Sequence, residues 1–211
     1  MIELAGEIPF LWRLSAESSD GYCSVAMVVP CPPEAEIADL TIETSVVSMP
    51  SEAADTEQEE ILEWNQDDIT LFLKLITHRE RQQSDSMSDT VRVNLTDPDI
   101  IDIIQVVAAA GFGMAFTAQG VLQTGNGYSP IQNYDIGSFA SLNTVRGFKS
   151  CVIVDVDEDN VVCVLLDDIP AGAREEFPEF NRLDLLVVSR ADLLHPEFAE
   201  RKVRPEGTPL H

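Results

Sequence analysis

The stretch DPDIIDIIQVVAAAG, residues 97–111, holds the clearest helix signal in the chain. Asp97 offers a side-chain oxygen to the free N–H groups of a first helical turn, and Pro98 suits the first helical position, where a missing N–H costs nothing. Asp99 and Asp102 complement the positive end of the helix dipole. Ile100, Ile103, Ile104, Val107 and Ala108 recur at helical spacing, Ala109 and Ala110 continue the stripe, and Gly111 is expected to end it in a left-handed conformation. A second stretch, KSCVIVDVDEDNVVCVLLDD over 149–168, alternates with period two on both sides of a polar turn at Asp157–Asn160, the mark of a β-hairpin. A hairpin centred on Glu158-Asp159 puts Cys151 and Cys163 on opposite faces, which argues against a disulfide between them.

Outward from these two stretches, most of the chain reads as short strands. Ile8–Leu14, Tyr22–Val29 and Ile37–Val47 are strand candidates, with a turn at Asp20-Gly21 and a stop at Pro30, Pro32 and Pro33. Residues 51–68 carry eight acids and no base, and read as a loop leading into a short helix that ends near Trp64. Ile69, Leu71, Leu73 and Leu75 alternate, which favours a strand over 69–77, although Phe72 and Ile76 also suit a helix. His78–Asp89 reads as a polar loop, and Val91, Val93 and Leu95 alternate again. Leu183–Val188 is a further strand, followed by a capping box on Ser189 and Asp192 and a short helical turn ending by His195-Pro196.

The expected class is therefore α+β and β-rich: short strands and hairpins, one main helix over about 97–110, and a C-terminal part for which a small SH3-like barrel fits. The regions are 1–95, acidic and β-rich; 96–138, the helix and an uncharged segment; 139–200, the hairpin or small barrel; and 201–211, an extended tail with Arg201, Lys202 and Arg204. A single domain is the alternative division.

Charge narrows the function. The 211 residues include 37 acids and 13 bases, a formal net charge of −24. Such a field repels nucleic-acid phosphates and anionic membranes, and favours cations or a basic partner. No basic leader precedes an apolar run at the N-terminus, and the least polar window, 100–122, is interrupted by polar residues and glycines. The expected location is the cytoplasm, or a virion if the protein is viral, with no membrane partner and no direct nucleic-acid partner.

No motif demands a cofactor or metal. The four cysteines form no CxxC pair, and reduced buried thiols are the default. Asp155, Asp157 and Asp159 are spaced like the opening of a calcium loop, but Asn160 stands where glycine is needed and Leu166 where glutamate is needed. Gly111-Phe112-Gly113 follows a helix and lacks the third glycine of a dinucleotide fingerprint. Arg146-Gly147-Phe148 resembles the start of an RNA-recognition strand, but Lys149 and Ser150 replace its small residue and second aromatic. His78, His195 and His211 sit in separate polar contexts, so no hydrolytic triad is legible.

The residues from Ile103 to Tyr134 include no charge. A buried helix and strand would account for this. So would an interface, because interfaces exclude charge yet tolerate the neutral polar residues found here. Phe112, Phe116, Tyr128 and Tyr134 are the candidate interface anchors. The leading expectation is a non-enzymatic assembly or interaction protein, such as a virion component, contacting a protein partner or another copy of itself. The alternative is an acidic inhibitor that imitates nucleic acid, with Glu57, Glu59 and Glu60 as partner-binding residues. An enzyme of unrecognised type ranks third.

Overall fold

The computed structural model describes residues 2–4, 10–31, 38–50, 58–83, 91–118, 120–123, 127–172 and 177–200. The chain divides into two compact units, 1–114 and 115–211. The division falls inside the uncharged segment and cuts the grouping 96–138: the helix belongs to the first unit, and the rest to the second.

In the first unit, β1 (Ile2–Leu4) pairs with β6 (Val91–Val93), and β2 (Leu11–Leu14), β3 (Cys23–Val29), β4 (Leu40–Ser48) and β5 (Glu60–Glu63) form an antiparallel sheet in the order β4-β3-β2-β5. The β2–β3 turn uses Gly21 at φ +81, a conformation glycine adopts without Cβ strain. Trp12, Met27 and Ile42 lie in one cross-strand row and are buried. The helices α1 (Gln66–Gln83) and α2 (Pro98–Phe112) pack on each other, and α2 packs on β3 and β4.

Three expectations change here. Residues 69–77 are the middle of α1, not a strand. Asn65 accepts from the Asp67 and Asp68 N–H groups, while Asp68 accepts from the Asn65 N–H, a reciprocal cap that starts the helix. The buried side chains are Leu71, Phe72, Leu75 and Ile76, a four-residue rhythm that the alternation of leucines disguised. The proposed loop from His78 is helical as far as Gln83. The proposed helix before Trp64 is instead β5, held antiparallel to β2 from Leu11↔Glu63 to Leu14↔Glu60.

α2 starts as expected, with Asp97 accepting from Asp99 N–H and Pro98 in the first turn. Arg79 bonds both Asp97 and Asp99, and its guanidinium holds the Asp97 carboxyl below its ordinary value. The helix ends at Phe112, within two residues of the expected stop at Gly111, but by a different cap. Gly111 is helical, and Gly113 caps the end in an extended conformation at φ −70, not a left-handed one. By continuing through Phe112, the helix sets that ring edge-on to Trp12, with ring centroids 5.5 Å apart.

In the second unit, one sheet runs β12-β8-β9-β10-β11-β7. Its strands are β7 (Ala115–Thr117), β8 (Phe139–Thr144), β9 (Gly147–Val156), β10 (Asn160–Leu165), β11 (Leu185–Ser189) and β12 (Leu193–Leu194). Among the described residues β7 and β12 are its two edges, so the sheet is open and not a closed small barrel. β7 joins β11 in parallel. The capping box forms as read: Ser189 and Asp192 bracket a 3-10 turn, Arg190–Asp192. A last short helix, α3 (Glu197–Glu200), follows. The tail 201–211 lies outside the described residues.

The β9–β10 hairpin corrects the cysteine reading. Its first pairs, Val161↔Val156 and Val162↔Asp155, keep the centre at Glu158-Asp159. A bulge between Val162 and Cys163 then shifts the register, giving Cys163↔Ile153 and Leu165↔Cys151. A one-residue slip moves side chains to the other face. Cys151 and Cys163 therefore share one face and one core with Ile153, Leu142 and Leu186. Both are free thiols. Hydrogen bonding to Cys163 and burial hold the Cys151 thiol well above its ordinary value, so it stays protonated at neutral pH.

Candidate interaction surface

The second unit carries a cluster of three aromatic rings at its surface, each placed by a separate device. The described residues on either side of Tyr128 are fastened to the sheet by backbone bonds. Gln123 N–H donates to the Asn143 carbonyl, and the Asn143 amide donates back to the Gln123 carbonyl. Further on, Ile131 N–H donates to the Leu193 carbonyl. Between these anchors Gly127, at φ +72, turns the chain and presents Tyr128. Phe148 is set by the tight β8–β9 turn, where Gly147 adopts φ +87 and the Thr144 hydroxyl donates to its carbonyl. Phe198 is set by α3, which the buried Ser141 hydroxyl fixes to β8 by donating to the Pro196 carbonyl and accepting from Ala199 N–H.

The rings meet as a triangle. Tyr128 lies edge-on to Phe148 at 5.5 Å and to Phe198 at 5.1 Å, and the two phenylalanines are 5.2 Å apart. Phe148 and Phe198 are half-buried, whereas Tyr128 is 44% exposed. Gly127, Ser129 and Pro130 beside it are exposed and uncharged.

Of the four sequence-predicted anchors, Phe112 belongs to the first unit and Phe116, Tyr128 and Tyr134 to the second. Phe112 packs on Trp12 in the first unit. Phe116 lies on β7, 40% exposed and edge-on to Phe180 at 6.2 Å. Tyr134 is half-buried against the second core, with the Arg190 guanidinium over its ring at 5.6 Å. Tyr128 alone of the four joins the triangle. Its partners Phe148 and Phe198 were missed, since one looked like a fragment of an RNA motif and the other stands alone after His195-Pro196. Of the acidic trio, Glu59 is exposed, Glu60 is half-buried opposite Leu14, and Glu57 lies outside the described residues.

The other chemistry-bearing groups are divided between the two units. His78 is in the first unit and His195 in the second, while His211 lies outside the described residues. Asp155 and Asp157 accept from the N–H groups of the residues that follow them, Val156 and Glu158. Among the described residues no group of three or more His, Cys, Asp or Glu side chains is placed to hold a metal ion, and no helix is long and apolar enough to cross a membrane.

The first unit contains one unusual carboxyl. Asp68 is buried beside the stacked Trp12 and Trp64 rings and accepts from Trp12 Nε1 at 3.1 Å. Desolvation raises its pKa above 3.8, although the donors from Asn65 and Trp12 oppose this. The folded state thus holds the proton more tightly than the unfolded chain does. Asp68 contributes most to stability below the ordinary carboxyl range, and that contribution is lost as pH rises through the raised pKa. Asp97, with its lowered pKa, acts in the opposite sense: its contribution is lost as pH falls. Trp12 and Trp64 are the protein's two tryptophans, so their fluorescence should titrate with a midpoint above 3.8, and Asp68→Asn should abolish the step. A midpoint at or below 3.8, or a step surviving in Asp68→Asn, contradicts this assignment.

No protein-family model matches the chain, and no curated protein matches it.

Proposed function

We propose that the protein is an interaction or assembly protein that docks another polypeptide on the Tyr128 face of its second unit. The observation that carries this reading is the exposed Tyr128 ring on its Phe148–Phe198 platform, inside a segment free of charge in a chain of net charge −24. Tyrosine suits such a role because it offers a large contact with few rotors to freeze, plus a hydroxyl for hydrogen bonding. Two half-buried rings behind it pre-position the contact before a partner arrives. A virion is one setting in which such docking would serve assembly.

A second copy of the chain is the simplest polypeptide with which to test the face. Like charges oppose that encounter, and added salt screens them. Light scattering of the concentrated protein should therefore show a mass above 23.2 kDa that grows with salt, and Tyr128→Asp should return it to the monomer. A parent that stays monomeric at every salt concentration, or a folded Tyr128→Asp variant that assembles like the parent, contradicts the reading.

A further inference from the structure

The β9–β10 hairpin brings two nucleophiles together. The pairs Cys163↔Ile153 and Leu165↔Cys151 lie two residues apart in the ladder, so Cys151 and Cys163 are diagonal neighbours on one face. Both side chains are fully buried in the second core, and both thiols are free. Cys151 donates to the Ala140 carbonyl at 3.6 Å, and the two thiols are hydrogen-bonded to each other, which puts the sulfurs in contact. A single buried cysteine serves as an inert, small apolar side chain. Two in contact form a dithiol, which can give up two electrons together. We infer that Cys151 and Cys163 are a redox modification site, which a low-molecular-weight disulfide such as glutathione disulfide converts to a cross-strand disulfide that locks the second unit.

The chemistry is thiol–disulfide exchange in two steps. One protein thiol loses its proton, and the thiolate attacks a sulfur of glutathione disulfide. A mixed disulfide forms and one glutathione thiolate leaves. The second protein thiol then loses its proton and attacks the protein sulfur of the mixed disulfide. The Cys151–Cys163 bond forms and the second glutathione leaves. The two released protons end on the two glutathione thiolates, and the two electrons lost by the pair reduce the glutathione disulfide. Attack requires a thiolate, and burial keeps Cys151 protonated in the closed core, so exchange proceeds from an opened hairpin. The sulfurs must then close from contact to a bond of about 2.05 Å. The bulge between Val162 and Cys163 is where the strands adjust, because the ladder is already interrupted there. Once formed, the link removes open states from the unfolded hairpin and so stabilises the unit. A reducing compartment keeps the pair as thiols, and oxidising surroundings close it.

The test equilibrates the full chain with equimolar reduced and oxidised glutathione, then blocks the remaining thiols. Proteolysis at the acids of the Asp157–Asn160 turn separates the two cysteines, and mass spectrometry should find their fragments joined. Amide hydrogen exchange across 149–168 should be about 30-fold slower in the oxidised protein than in the reduced one. Cys163→Ala removes one partner, so its exchange should be the same with and without oxidation. A Cys23→Ala, Cys31→Ala double variant, shown by circular dichroism to be folded, should keep the whole effect. Free thiols or glutathione adducts at Cys151 and Cys163 in place of the link overturn the inference. So does a link in the parent that leaves exchange across 149–168 unchanged or faster, because the bond would then strain the hairpin and not lock it.

Discussion

Trp12→Ala should destabilise the first unit by about 3–5 kcal/mol, a large share of the roughly 5–15 kcal/mol that holds a folded domain. Trp12 is 1% exposed and stacks on Trp64 at 4.9 Å, with Phe112 edge-on to it. Truncation removes those contacts and leaves a cavity between sheet and helices. It also takes the indole donor from the buried Asp68 carboxyl. Trp12→Phe separates the two effects. It keeps a ring in place but loses the N–H, so its stability cost should be smaller, while the Asp68 pKa should rise further than in the parent. Urea unfolding followed through Trp64 fluorescence measures the first, and the pH dependence of its midpoint measures the second. An unchanged midpoint for Trp12→Ala would mean that the ring is not part of the core.

Ile153→Ala should destabilise the second unit by about 2–5 kcal/mol, and Ile153→Val by only about 0.5–1.5 kcal/mol. Ile153 is fully buried at the centre of β9, opposite Cys163, and its backbone bonds both Gly137 and Ser138. The adjoining thiols provide the readout, because Cys151 and Cys163 are fully buried and react with a thiol reagent only when the core opens. A loss of about 2 kcal/mol should speed their labelling about 30-fold. Labelling of Cys163 at the parent rate in Ile153→Ala, with Cys151 accelerated, would show that Cys163 does not share a core with Ile153, and would restore the opposite-face register.

The parts of this fold that were legible in the sequence are those fixed locally. Asp97-Pro98 is a helix start whose cap and first turn are neighbours in the chain, and Ser189 with Asp192 closes a capping box within four residues. The hairpin turn at Asp157–Asn160 is equally local. The errors arose where distant contacts decide. Residues 69–77 fit two periods, and burial against a partner helix chose the helical one. The Val162/Cys163 bulge has no mark in a run of β-branched residues, yet it moves Cys163 to the other face. Gly111 carries a stop signal that the docking of Phe112 on Trp12 overrides. The candidate site was legible to the extent of one residue. Exclusion of charge drew attention to Tyr128, but the platform behind it comes from β9 and α3, which lie 20 and 70 positions further along.

The most direct measurement places a photo-crosslinking side chain, p-benzoylphenylalanine, at position 128 in the full chain. The control carries it at Ile61, which is 53% exposed on β5 of the first unit. Each purified, concentrated protein is irradiated alone at high salt, which screens the like charges of two copies, and the adducts are weighed by mass spectrometry. The docking account predicts a cross-linked dimer from position 128 several times more abundant than from position 61. Equal yields at the two positions, or no dimer from position 128, would contradict it.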